Sequence, residues 1–78
     1  MAQINIITTP EEQDRVLEAI KKVQGQTVAV SAIASMAGMK QSRVRYAITD
    51  LEEAGKIKRI PVNAFNVHYI RYKYEVLI

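Results

Sequence analysis

Between positions 40 and 49 the chain places Lys40, Gln41, Ser42, Arg43, Arg45, Tyr46 and Thr49, side chains suited to a nucleic-acid surface. Gln41 has the donor–acceptor pair that matches adenine, and Arg43 or Arg45 has the fork that matches guanine. Thr49 or Tyr46 can meet a base methyl or a phosphate. Ser42, with the free N–H groups of a helix start, can hold a phosphate. At 100° per residue, Ser42, Arg45, Tyr46 and Thr49 share one side of a helix and Arg43 lies on its flank. The plainer reading is a solvated helix face that carries two arginines.

A second basic group follows. Lys56, Lys58 and Arg59 precede a turn region, Asn63 to Asn66, and Arg71 and Lys73 come after it. On a hairpin these cations could grip phosphates or enter a minor groove. Charge on edge strands also guards against aggregation, and both roles can hold. The charge is unevenly placed. Residues 1–39 carry three basic side chains against four acidic ones, whereas residues 40–78 carry eight against four. A positive excess confined to one half is the footprint expected of a nucleic-acid face.

Other chemistry finds little support. There is no cysteine, which removes disulfides, thiolate metal sites and cysteine nucleophiles. His68 is the single histidine, with no convergent acids near it in sequence, so it reads as a plain strand residue. No Gly-rich phosphate loop is present, and Glu52–Glu53 reads as a solvated pair at a helix end. The expectation is a protein with no catalytic residues, no metal and no cofactor. No apolar run approaches a membrane span, and the start of the chain lacks the pattern of a signal peptide. A cytoplasmic setting fits.

The elements that would position these residues are legible in outline. The 78 residues suit one small α+β domain. Residues 1–8 suggest an arm or a short extra strand. Helix 1 is expected over 9–24, with Thr9 as cap, Pro10 in the first turn and Glu12 completing a capping box. Val16, Leu17, Ile20 and Val23 form its apolar stripe. Thr27 to Val30 reads as a short strand, and Ser31 as the cap of helix 2, over 31–37. Gly38 supplies a left-handed turn and Met39 plugs it. Helix 3 spans 41–54 with a stripe of Val44, Ala47, Ile48 and Leu51, and Gly55 stops it. Its acidic end, Asp50, Glu52 and Glu53, is expected beyond any groove. A hairpin over 56–77 completes the chain. In its second strand Tyr72 and Tyr74 share a face with Ile70 and Val76, which points to the core.

Two helices joined by a tight turn and followed at once by a basic strand form a helix-turn-helix with a wing. The stretch from Ser31 to Val62 resembles the winged helix-turn-helix superfamily of bacterial regulators, including MarR-like proteins. Ala34, Gly38, Met39 and Val44 stand at the offsets such units share. Within that superfamily it is similar to the small fimbrial-operon regulators of the PapI and FaeA type. The shared features are the Arg45–Tyr46 pair, the Leu51-to-Gly55 helix ending and a basic strand leading to Pro61. The resemblance implies three helices plus a C-terminal β-hairpin wing. It also implies a transcriptional regulator that acts with a second DNA-binding regulator.

Two functions stay open on these residues. In one, helix 3 reads the major groove of double-stranded DNA and the wing holds the flanking backbone. In the other, the fold binds protein without DNA, through Ile4, Ile6 and the Tyr-rich strand. A single unit with about five phosphate contacts binds weakly, so a homodimer is the expected assembly on DNA. Residues 2–8 are the candidate dimer contact.

Overall fold

The computed structural model describes residues 7–62 and 71–78. The elements run α1 (Pro10–Val23), β1 (Thr27–Val28), α2 (Val30–Ala37), α3 (Gln41–Glu53), β2 (Ile57–Val62) and β3 (Arg71–Val76). The three strands form one antiparallel sheet in the order β1-β3-β2. Three helices against such a sheet, with the β2–β3 hairpin at the C-terminal end, make an α+β arrangement compatible with a winged helix. The expected extra N-terminal strand, the turn region Asn63 to Asn66, and His68, Tyr69 and Ile70 lie outside the described residues.

Local sequence explains most of the boundaries. The Thr9 hydroxyl accepts from the Glu12 N–H, and the Glu12 carboxylate accepts from the Thr9 N–H at 3.0 Å. These reciprocal bonds satisfy donors that the first turn of a helix leaves without partners. Glu11 and Glu12 at the start of α1, and Lys21 and Lys22 at its end, complement the helix dipole. α2 begins one residue before the expected cap. Ala29 holds the N-cap position and makes no side-chain cap bond, so Ser31 is already inside the helix. β1 is correspondingly shorter than expected, because Val30, packed against the core, has joined α2.

Two glycines set the turns on either side of α3. Gly38 has φ +66° and Gly55 has φ +73°, a region that a Cβ disfavours. After α3 the Lys56 N–H donates to the Leu51 carbonyl at 2.9 Å and the Gly55 N–H to the Glu52 carbonyl at 3.0 Å. This closing pattern satisfies carbonyls left free at the helix end and turns the chain directly into β2.

One core holds the elements together. α1 contributes Val16, Leu17, Ala19 and Ile20, and α2 contributes Ile33 and Ala34. α3 adds Val44, Ala47, Ile48 and Leu51, and the sheet adds Ile57 and Tyr74. The small Ala34 and Ala47 allow the helices to approach closely. Tyr74 is fully buried and Tyr72 packs partly buried against the same cluster. The Gln24 side chain accepts from the Val76 N–H at 2.8 Å and fastens the end of α1 to β3.

Candidate nucleic-acid interface

α3 buries one stripe and exposes the other. With Val44, Ala47, Ile48 and Leu51 in the core, Gln41, Ser42, Arg45, Tyr46 and Thr49 stay exposed, and Lys40 precedes them, also exposed. The start of α3 differs from that of α1. Lys40 occupies the N-cap and makes no side-chain cap bond, and the first turn contains no acid. Its leading N–H groups therefore lack the carboxylate and hydroxyl partners that α1 receives, and the positive end of the helix dipole is not offset from within the helix.

Arg45 has exposed neighbours on its side of the helix and no salt-bridge partner among the described residues. The Thr49 hydroxyl donates to the Arg45 carbonyl at 3.1 Å, which spends its proton within the helix and leaves its oxygen as an acceptor. Tyr46 remains nearly half exposed, at 46%.

Arg43 is placed differently. Its Nε donates to Glu12 Oε2 at 2.9 Å, and its Nη2 donates to Glu12 Oε1. The carboxylate of α1 thus holds the arginine of α3 through both arms of the fork. Arg43 and the Thr9 N–H together pull the Glu12 carboxyl down to about 2. The same pairing raises the Arg43 pKa further above its ordinary value.

Asp50, expected with Glu52 and Glu53 beyond any groove, is buried at 2% exposure. Its Oδ2 accepts from the Thr8 hydroxyl at 2.6 Å, the Thr8 N–H at 2.9 Å and the Ile7 N–H at 3.1 Å. Burial opposes the charge. The Thr8 hydroxyl and the two N–H groups outweigh it, and the carboxyl pKa falls below its usual value. Arg43 and Asp50 stand seven residues apart, hence on one flank of α3. The entrance of α1 grips that flank at both points.

The basic residues of the hairpin separate between two faces. Lys58 pairs in register with Glu75, Ile60 with Lys73 and Val62 with Arg71, so Lys58, Arg71 and Lys73 share the outer face. All three are exposed. Arg59 stands opposite Tyr74 on the inner face. Its Nη2 donates to Glu52 Oε1 at 2.9 Å and its guanidinium lies 4.9 Å from the centre of the Tyr72 ring. Lys56 is exposed in the turn between α3 and β2, its backbone bonded to Leu51 and Leu77.

Sequence reasoning placed the exposed side of α3 correctly but missed Thr8 and Glu12 as partners of that helix, through Asp50 and Arg43. The capping box did mark Glu12, for another role. Among the described residues no cluster of three metal-ligating side chains occurs, and no described helix is long and apolar enough to cross a membrane.

A comparison with protein-family models matches residues 12–64 to the family described as FaeA-like protein. Comparisons with curated proteins and with solved structures find no match. The family match takes in most of α1, the helix pair and β2, well over half of the sequence, and the chain belongs to the FaeA-like family.

Proposed function

We propose that the protein binds double-stranded DNA sequence-specifically as a small winged-helix transcriptional regulator. α3 enters the major groove, and the hairpin rests on the flanking backbone or in the minor groove. Lys40, Gln41, Ser42, Arg45, Tyr46 and Thr49 form the reading surface. Lys56, Lys58, Arg71 and Lys73 supply sequence-independent grip. Arg59, tied to Glu52 and Tyr72, serves chiefly to hold β2 against α3. The carrying observation is the start of α3: uncapped by any side chain, free of acid in its first turn, and followed by an exposed Arg45. Such a helix end favours an anion. Family membership supports a regulator-type role.

The protein works where DNA is, in the cytoplasm of a bacterial-type cell, and two copies serve one site. A second regulator bound nearby is the further expected partner. The test is titration of duplex DNA at two salt concentrations. Each neutralised phosphate contributes about −0.9 to the slope of log affinity against log salt. Absence of binding to any duplex pool at about 50 mM salt would remove this reading.

A protein-binding module without DNA is the second reading. Tyr72 and Tyr74 lie partly or wholly inside the core, which takes those rings from the interface first expected for it. One other observation favours it: Met36 of α2 is 44% exposed beside a cleft lined by Asp14, Arg15, Glu18 and Lys22 of α1. Chemical-shift mapping separates the two, since DNA should perturb residues 42–49 and a protein partner the cleft.

A further inference from the structure

Glu12 lies on α1, outside every element expected to touch DNA, yet it controls one of the two arginines of α3. Its Oε1 accepts from the Thr9 N–H and from Arg43 Nη2, and its Oε2 accepts from Arg43 Nε. The carboxylate therefore works twice, as the return half of a capping box and as the counter-ion of Arg43. The pair is reachable from solvent, with the Arg43 side chain 36% and the Glu12 side chain 25% exposed.

Arg43 also borders the reading surface. It follows Ser42 directly and stands one turn before Tyr46, both exposed. An arginine neutralised by a bidentate carboxylate has little charge left to displace counterions from DNA. Asp50 is the other acid that acts on Arg43, and its Oδ2 is already committed to three donors from Ile7 and Thr8.

We propose that Glu12 sets the DNA affinity of this protein by occupying Arg43, which withholds that arginine from the phosphate backbone. This rests on the DNA-binding reading above and adds a tuning residue to it. Arg43 is a reserve contact. Loss of the Glu12 charge releases it. The capping box itself does not need the charge, because glutamine also serves at that position. Glu12→Gln thus removes the counter-ion and keeps the helix start.

The experiment uses one duplex recovered by selection from a random pool, titrated at about 50 and 200 mM salt. The proteins are the natural chain, E12Q, R43Q and E12Q/R43Q, each checked for folding by circular dichroism. E12Q should bind more tightly at the lower salt, with a log–log slope steeper by about 0.9, one phosphate's worth. E12Q/R43Q should return to the natural slope. An unchanged slope in E12Q overturns the proposal. So does a steepening that persists in E12Q/R43Q, which would be a general charge effect. R43Q alone decides the matter even if E12Q folds poorly: a slope flattened by about 0.9 means that Arg43 already contacts DNA, and the proposal fails. No binding by the natural chain would instead overturn the DNA reading, and the proposal with it.

Discussion

The Thr8 hydroxyl donates to Asp50 Oδ2 at 2.6 Å, across 42 positions of sequence, in a site closed to solvent. The N–H groups of Ile7 and Thr8 donate to the same oxygen. One carboxylate of α3 therefore fixes the segment that leads into α1. Asp50→Ala leaves the buried Thr8 donors without a partner and should cost about 2–3 kcal/mol. Asp50→Asn keeps an acceptor and should cost less. Urea midpoints measure both; a loss under about 0.5 kcal/mol for the alanine variant contradicts the clamp.

The Glu12 and Asp50 carboxyls are both shifted down in the folded chain, Glu12 from 4.5 to about 2. A depressed folded pKa means that the unfolded chain binds protons first as pH falls. The stability that Glu12 contributes is complete above its unfolded value and drains away from about pH 4.5 toward pH 2, and that of Asp50 is lost in the same direction, as pH falls. Denaturant midpoints measured across that window should fall, and should fall less in E12Q/D50N. A double variant with the natural pH dependence contradicts the assignment.

Those two contacts also mark where the sequence stopped being informative. The capping box of Thr9 and Glu12 was legible because its partners lie three residues apart. The stripe of Val44, Ala47, Ile48 and Leu51 was legible because helical periodicity repeats it, and Gly38 and Gly55 because a left-handed turn demands them. Glu12–Arg43 and Thr8–Asp50 join residues 31 and 42 positions apart, which no local pattern records. Asp50 stood in an acidic run, and nothing local in that run marks it as a buried acceptor. The start of α2 failed for a different reason. Ser31 has a strong local preference for the cap, but Val30 packs against the core and draws the cap two residues earlier, to Ala29. Strand alternation alone would have separated Arg59 from Lys58, which cannot share a face.

Tyr74 tests the balance between volume and polarity. Its ring is fully buried and its hydroxyl has no hydrogen-bond partner among the described residues. Burial raises its pKa above the ordinary tyrosine value. Tyr74→Phe removes an unpaired polar atom and should be neutral or stabilising, whereas Tyr74→Ala should cost about 3–5 kcal/mol through the cavity it leaves. A loss above about 1 kcal/mol in the phenylalanine variant would mean that the hydroxyl is bonded.

At Gly38 a Cβ would meet no atom within 4 Å, so substitution costs only the strain of positive φ. Gly38→Ala should destabilise by about 1 kcal/mol, and Gly38→Asn by less, because asparagine tolerates the left-handed region. A thermal melt of each variant provides the comparison. Equal losses for the two would point to a steric role instead.

Arg45 is the sharpest test of a DNA-reading α3. The direct measurement is the affinity of the natural chain and Arg45→Ala for a selected duplex and for a scrambled one, at about 50 and 200 mM salt. The DNA reading requires steep salt dependence and a loss of about 1–3 kcal/mol on the selected duplex in the variant, with most of the preference over the scrambled duplex gone. Affinity and preference unchanged in Arg45→Ala, or no duplex binding by the natural chain at the lower salt, would contradict it.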